Sequence, residues 1–328
     1  MRLQAVNPCH THQITMSDPV ILFFILGVIA GLSRSDLKIP GVLYESLSIF
    51  LLLAIGLKGG VALAQNNPGE LVAPIVVVTL TAMVVPILAF LIASYGGRYG
   101  RADAGALAAH YGSVSVVTFA VASSYLTRLS VPFEGFMSVF LVILEIPGLL
   151  IGVALARWSA GNTRWAALMH EIVTGKSIVL LVGGLIIGYV SGEAGLSSIT
   201  PVFFTLFKGL LAIFLLEMGL VTAGRIADLK KSGAFLITFG VVMPLISASI
   251  GIVTASLIDL SVGGATLLAT LFASASYIAA PAAIRMAVPE ANPSLSIGAS
   301  LGITFPFNIT IGIPLYYAAS QWLLGASI

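Results

Sequence analysis

The sequence predicts an all-α polytopic membrane protein with ten transmembrane helices, arranged as two inverted five-helix repeats. Three observations lead to this class. Hydrophobic residues make up 58% of the 328 residues and charged residues only 9%, whereas a soluble domain carries about 25% charged residues. A search for apolar runs that could cross about 30 Å of hydrocarbon gives ten candidates. Short motifs in the first half of the chain also recur in the second half.

The composition excludes several classes of protein. A mean hydropathy of +1.08 and a formal net charge of +2 leave too few charges for a soluble surface, and no basic run suits nucleic acid. The single cysteine, Cys9, excludes an internal disulfide and a cysteine-based metal centre. The chain has no P-loop and no Gly-x-Ser nucleophile with a suitably placed histidine. We therefore predict neither an enzyme nor an ATP-driven pump, and no cofactor.

Ten apolar runs, called segments one to ten below, are the predicted membrane-spanning helices. In chain order they cover residues 19–33, 40–62, 70–95, 103–126, 133–157, 174–191, 201–224, 233–258, 262–286 and 295–324. The predicted divisions are a tail, a first repeat, a linker and a second repeat, at residues 1–18, 19–157, 158–173 and 174–328. The tail lacks an apolar core, so it is not a signal peptide. Either Met1 or Met16, which precedes a helix-opening Ser-Asp-Pro, starts the native chain.

Lysine and arginine are distributed unevenly between the two sides of the predicted helices. Eleven of the fifteen lie in or near the connections of one side. Because cytoplasmic loops carry an excess of these residues, that side is predicted to face the cytoplasm. The linker then lies in the cytoplasm, while the N-terminal tail and the C-terminus both lie outside it.

Matching motifs relate the two halves of the chain. Residues 51–57 match 214–220 at an offset of 163, residues 112–115 match 273–276 at 161, and Gly152 matches Gly312 at 160. The nearly constant offset and the common order favour a true repeat. Each half has five crossings, an odd number, so the second half runs inverted relative to the first. This arrangement is typical of secondary transporters.

Segments four and nine each carry two serines near their centre. Segment four reads Gly112-Ser-Val-Ser115, and segment nine reads Ser274-Ala-Ser-Tyr277 with Pro281 shortly after. Pro281 removes a backbone donor and clashes with the preceding turn, which favours a broken helix. Two helices broken near the membrane centre would aim free N–H groups and positive dipole ends at one point. That arrangement suits a small anion.

Hydroxyl and amide donors around that point form the predicted substrate site. Its residues are Gly112, Ser113, Ser115, Thr118, Ser274, Ser276 and Tyr277. The alternative is that these hydroxyls bond back to their own helices or join neighbouring helices. The recurrence of the Ser-x-Ser pair at equivalent places in both halves favours the site.

A second predicted site would hold the coupling ion. An acid inside a membrane span costs a few kcal/mol, so it faces a cavity, a partner or a proton. Glu145 lies in segment five just before a proline, and the equivalent part of segment ten carries Asn308 after a proline. We predict that Glu145, Thr304 and Asn308 hold sodium. Glu217 in segment seven is either functional or a packing contact, and His110 is either a proton carrier or a satisfied interior histidine.

Several stretches resemble the sodium-dependent bicarbonate transporter family, the SbtA-type permeases. They are residues 51–62, Glu145-Ile-Pro147, the run 273–285, the run 288–293 and Ile313-Pro-Leu315. The part from Arg285 to Pro293, with its Ala-Asn-Pro, is the most specific. The resemblance extends over nearly the whole chain from about Pro19 onward.

The resemblance implies an elevator-type symporter that imports bicarbonate with sodium as the coupling ion. In this family, segments one, two, six and seven would form a gate or scaffold domain. Segments three to five and eight to ten would form a core that carries the site. The resemblance also implies a homotrimer in the bacterial inner membrane. A small PII-like protein would dock on the cytoplasmic face, at the linker 158–173.

The sequence departs from the family pattern at three places in the predicted sites. Tyr277 stands where the pattern has an aspartate, two valines follow Ser115 where it has Gly-Ser, and Glu145 replaces an aspartate. Two alternatives therefore stay open. One is transport of another small organic anion, coupled to sodium or, through Glu145 or His110, to protons. The other is a membrane sensor or scaffold without transport, which only Tyr277 supports.

Overall fold

The computed structural model describes residues 18–158 and 165–325, with no account of the side chains at positions 68 and 226–232. The tail, Cys9 and both possible start residues lie outside this range. All regular elements in the described range are helical. The α-helices are Pro19–Leu32, Gly41–Ala64, Pro68–Ala82, Val84–Leu91, Arg101–Gly112, Val116–Arg128, Met137–Leu144, Pro147–Arg157, Trp165–Val173, Lys176–Gly195, Phe207–Leu257, Val262–Ala273, Ala279–Ala287, Pro293–Ala299, Phe305–Phe307 and Ile313–Leu324. Wider π-helical turns cover Ile92–Gly96, Pro201–Thr205, Ser300–Thr304 and Asn308–Gly312.

Within the described residues, eight helical stretches are long and apolar enough to cross a membrane. They correspond to segments two to eight and segment ten, with ends that differ from the predicted ones by up to six residues. Segment one is a helix of only 14 residues, Pro19–Leu32, and segment nine is divided into helices of 12 and 9 residues. Each of these is shorter than the roughly 20 residues of a full crossing. The prediction of an all-helical membrane protein with several crossings is confirmed.

Segments seven and eight follow each other closely and are separated by a kink. Within Phe207–Leu257, Gly233 has φ +83° and ψ 164°, which are not helical values. A residue with a side chain rarely adopts a positive φ, whereas glycine does so at little cost. The change of direction between the two segments is therefore concentrated at Gly233.

Segments one and seven cross through small residues four positions apart. Gly27 and Gly31 of segment one face Gly219 and Ala223 of segment seven. A Cβ atom on Gly27 would collide with the carbonyl oxygen of Leu216, so the two backbones are in direct contact. Small residues at such spacing allow the close helix packing that is common in membranes.

Segments two and six cross in the same way. Gly56 and Gly60 of segment two face Gly184 and Gly188 of segment six, again with backbone against backbone. The two crossings use equivalent positions. Gly56 and Gly60 of segment two lie 163 residues before Gly219 and Ala223 of segment seven. The two glycines of segment one lie 157 residues before the two of segment six.

Polar contacts link the ends of different segments. Three lie on the side where segment one begins: Arg128 with Asp18 at 3.3 Å, Gln65 with Glu193 at 3.4 Å, and the Ser261 N–H with Glu134 at 2.7 Å. Two lie on the opposite side: Arg157 with Glu290 at 2.9 Å and the Asn292 N–H with Asp103 at 2.7 Å. Each contact joins ends that ten alternating crossings would bring to the same side.

The predicted linker contains a helix, Trp165–Val173. Leu168 and Ile172 are four positions apart, so they share one helical face. Both are buried against the second half of segment nine, in a cluster with Ala283 and Ile284. The linker helix therefore packs on segment nine, while residues 159–164 of the linker lie outside the described range.

Candidate functional site

Segment four is interrupted at the predicted place. Its first half-helix ends at Gly112, and Ser113 has an extended backbone with φ −103° and ψ 166°. The second half-helix starts at Val116 with Ser115 as its cap. The Ser115 Oγ accepts hydrogen bonds from the Thr118 backbone N–H at 3.2 Å and from the Thr118 hydroxyl at 2.9 Å. Ser115 and Thr118 thus satisfy part of the exposed helix N-terminus.

Segment nine is interrupted at the equivalent place. Its first half-helix ends at Ala273, and the second begins at Ala279. The Ser276 Oγ accepts a hydrogen bond of 3.2 Å from the Ala280 N–H. Pro281 lies in the first turn of the second half-helix. Backbone N–H groups in the first turn make no hydrogen bond within the helix, so a proline there costs none.

Segment four is the most enclosed of the eight long apolar stretches in the described residues. Over its 18 most apolar residues 94% are buried, whereas the corresponding share in segments three and six is 22%.

The two breaks bind each other directly. The Ser276 N–H donates to the His110 carbonyl at 2.8 Å. The Ser115 N–H donates to the Ser274 Oγ at 2.9 Å, and this hydroxyl donates in turn to the Leu271 carbonyl at 2.8 Å. Positions 115 and 276, and positions 110 and 271, both differ by 161. The backbone N–H of each break therefore reaches the carbonyl of the equivalent residue in the other break. The contact from Ser276 to His110 is direct, whereas the one from Ser115 to Leu271 passes through the Ser274 hydroxyl.

A small cleft lies between the breaks. Ser115, Ser276, Tyr277 and Glu145 line it, and the Ser115 Oγ donates to the Tyr277 hydroxyl at 3.2 Å. Its volume is about 10 Å³, the lower limit for one water molecule. An anion of several atoms can enter only when the breaks move apart.

A larger cavity of about 270 Å³ adjoins this cleft on the linker side. Glu145, Ser177 and Ile278 line both the cleft and the larger cavity. Glu171 and Lys176 line the larger cavity but not the cleft. Glu145 is 2% exposed, and its Oε2 has no hydrogen-bond partner within residues 18–158 and 165–325. A buried carboxyl group thus stands where the cavity meets the cleft.

Gly112 and Ser113 face segment five rather than this cleft. A Cβ on Gly112 would lie 2.7 Å from the Pro86 Cβ of segment three and 2.9 Å from the Gly148 Cα of segment five, so the glycine serves close helix contacts. The Ser113 Oγ donates to the Glu145 carbonyl at 3.0 Å. Both residues line a separate space of about 10 Å³ with Leu144. The predicted substrate residues therefore surround the breaks without sharing one cavity.

Thr304 and Asn308 lie in the π-helical part of segment ten, a feature that is frequent at functional sites. The Thr304 hydroxyl donates to the Gly240 carbonyl at 2.7 Å and contacts the Tyr111 hydroxyl at 2.6 Å. The Asn308 amide donates to the Ala273 carbonyl at 2.9 Å, at the end of the first half of segment nine. In the described part of the chain, no hydrogen bond joins either residue to Glu145.

Sequence reasoning missed Ser177, which is 4% exposed and lines both the cleft and the 270 Å³ cavity. Its only signal is a hydroxyl at the start of segment six.

His110, which the sequence suggests as a proton carrier or an interior histidine, is buried. Both of its ring nitrogens lack hydrogen-bond partners among the described residues. Its backbone, rather than its ring, makes the described contact with segment nine.

The comparison with protein families agrees with the resemblance. Residues 19–321 match the model of the Na⁺-dependent bicarbonate transporter superfamily. The match begins at the first described helix and ends in segment ten, so it includes both breaks and Glu145. The comparison with curated proteins returns no match.

Proposed function

Because the chain belongs to the Na⁺-dependent bicarbonate transporter superfamily, we propose that it imports bicarbonate by symport with sodium. The observation that carries this proposal is the meeting of two broken helices at Ser115 and Ser276 beside the buried carboxyl of Glu145. With no ATP-binding motif in the sequence, an ion gradient supplies the energy. The protein is then a secondary active transporter, not an enzyme, in the bacterial inner membrane.

The proposed topology has ten crossings in two inverted repeats, with both termini outside the cytoplasm. Three features support it. The excess of Lys and Arg on one side orients the chain. The small-residue crossing of segments one and seven becomes the crossing of segments six and two when the two repeats are interchanged, as an inverted repeat requires. The five polar contacts between segment ends are compatible with the alternation of sides.

In the proposed site, Ser115, Ser276 and Tyr277 supply donors to the bicarbonate oxygens, together with N–H groups of the broken helices. Gly112, Ser113, Thr118 and Ser274 hold the breaks in shape. The Glu145 carboxylate attracts sodium, because its charge favours a cation. Thr304 and Asn308 are proposed to join it after they exchange their present partners.

The proposed mechanism is an elevator-type movement. Segments one, two, six and seven, joined by their small-residue crossings, form the scaffold, and the other six form the core. The cleft between the breaks has room for one water at most, so substrate entry needs a displacement of structure. The 270 Å³ cavity at the linker would open the site to the cytoplasm. We further propose a homotrimer and a PII-like regulator that docks at this face.

Uptake of radiolabelled bicarbonate into proteoliposomes tests the function. An inward sodium gradient should drive accumulation, and replacing sodium with potassium should abolish it. Short times and mildly alkaline pH limit leakage as carbon dioxide, and protein-free liposomes give the background. Uptake driven by a pH gradient alone would assign the coupling to protons. Absence of bicarbonate uptake would leave another organic anion, or a sensor or scaffold, as the function.

A further inference from the structure

A second cavity, of about 680 Å³, lies on the side of the molecule opposite the linker. Segments two, four, five and seven enclose it, with the end of segment six. Its lining includes Gln65, Thr127 and Glu193, which lie near segment ends on the side where segment one begins. The charge distribution assigns this side to the outside of the cell. We call it the outer cavity. Its lining is unusual for a membrane protein because two lysines, Lys58 and Lys208, face it.

Lys58 lies in the last two turns of the apolar helix Gly41–Ala64 of segment two. Its Nζ lies 5.6 Å from the ring centre of Phe204 and 5.2 Å from that of Phe207. Aromatic faces hold a cation in position without neutralising it. Within the described residues Lys58 has no ion pair with a carboxylate, and Glu193 of the cavity wall contacts Gln65 instead. The outer cavity therefore has an excess of positive charge.

A buried hydroxyl points to a ligand in the same cavity. Ser138 is 5% exposed, and its Oγ has no hydrogen-bond partner among the residues that the structure describes. It lies against Gly59, the neighbour of Lys58, and lines the outer cavity. A buried hydroxyl without a partner costs about 1–3 kcal/mol. The Ser138 Oγ packs against Gly59, so a small shift of Ser138 towards the cavity would let an oxyanion held by Lys58 accept this hydrogen bond.

We propose that the outer cavity is an entry vestibule that binds the incoming oxyanion before it reaches the helix breaks, with Lys58 as the residue that selects its charge. The wall supports a route inward. Phe119 and Ala120 line the cavity and follow directly on Thr118 in the second half of segment four. The direction of movement rests on the proposed function, whereas the binding site rests on the geometry of the cavity.

The first experiment measures binding without transport. In a Cys9→Ser background, Val61→Cys places a thiol on the cavity wall, outside the proposed ligand set. A membrane-impermeant methanethiosulfonate carrying a sulfonate is applied from outside, and bicarbonate is compared with chloride at equal ionic strength and pH. Bicarbonate should slow modification at least about twofold. Lys58→Gln should remove this protection, and Lys58→Arg should keep it. Lys38→Gln, with the same loss of charge at the opposite face, should also keep it.

The second experiment measures uptake by the same variants. Lys58→Gln should raise the KM for bicarbonate about threefold to tenfold and leave the maximal rate unchanged, because the vestibule acts before the transport step. Lys58→Arg should stay within about twofold of the parent. Size-exclusion profiles in detergent identify any variant that fails to fold. If Lys58→Gln fails, Lys58→Met removes the same charge with an apolar side chain and should give the same rise in KM.

Each outcome has a definite meaning. Protection that survives Lys58→Gln, absence of protection in the parent, or modification from the cytoplasmic side alone would overturn the vestibule. Sodium-driven uptake with an unchanged KM in Lys58→Gln would also overturn it, while the proposed function stands. Protection by bicarbonate without any uptake would support the vestibule and refute the proposed function.

Discussion

The backbone N–H of Ser276 donates a hydrogen bond of 2.8 Å to the carbonyl oxygen of His110 and thereby joins the two broken helices. His110 lies in the last turn of the first half of segment four, where carbonyl groups have no partner in their own helix. The break in segment nine supplies one. Because each break uses a free backbone group of the other, a substitution at one break is felt at both.

Ser276→Ala should weaken the apparent affinity for bicarbonate about tenfold to a hundredfold, because one hydrogen bond to a charged acceptor contributes about 1.5–3 kcal/mol. Ser115→Ala should weaken it similarly, with an added loss of about 1 kcal/mol of stability from the lost helix cap. Ser48→Ala, a buried hydroxyl of segment two, is the matched control and should change little. Uptake per folded protein measures the effect. Unchanged affinity in both site variants would remove these serines from the substrate site.

Glu145→Gln should damage sodium dependence more than bicarbonate dependence, because the carboxylate favours a cation and repels an anion. The sodium concentration for half-maximal uptake should rise about tenfold or more. Glu217→Gln is the control, since Glu217 is also an acid within the membrane but belongs to segment seven. Equal sodium responses in Glu145→Gln and the parent would exclude Glu145 as the sodium ligand.

A reporter joined after Ile328 should be located outside the cytoplasm. Alkaline phosphatase, which is active only there, should be active at this fusion and inactive when joined after Arg157. Green fluorescent protein at the same two points should give the reverse pattern. Fluorescence without phosphatase activity at Ile328 would contradict the proposed topology.

Gly27→Ala should destabilise the fold by about 1–3 kcal/mol, because the added Cβ collides with the Leu216 carbonyl across the segment-one crossing. Gly183→Ala is the control, since a Cβ there meets no atom within 4 Å. Thermal unfolding in detergent compares the two. Equal melting temperatures would show that the crossing adapts to a larger residue without cost.

The sequence predicts the long helices well because an apolar run long enough to cross a bilayer has few other structures available. Segment three, predicted over 70–95, is helical over Gly69–Gly96. The helix Trp165–Val173 was harder to see, because a nine-residue helix gives little periodic signal. The small-residue crossings were also missed. With 34 glycines in the chain, spacing alone does not identify the glycines that meet.

For the candidate site, the two Ser-x-Ser pairs, which lie 161 positions apart, predicted where both helices break. The partners of each hydroxyl were not predictable. Ser113 bonds segment five and Thr304 bonds segment eight, contacts that depend on how helices distant in sequence are rotated against each other. The outer cavity was equally hidden, since Lys58 counts in the sequence only as one charge near a helix end.

The Ser274 hydroxyl makes the two amides at the crossing unequal. The Ser276 N–H is bonded to a backbone carbonyl, so it is released only when one helix moves relative to the other. The Ser115 N–H is bonded to a side chain, and rotation about the Cα–Cβ bond of Ser274 is enough to release it. Rotation of an enclosed side chain is a smaller event than displacement of a helix. In the proposed site, Ser115 is therefore the amide that the substrate can bind first, while the bond between Ser276 and His110 still holds the two helices together.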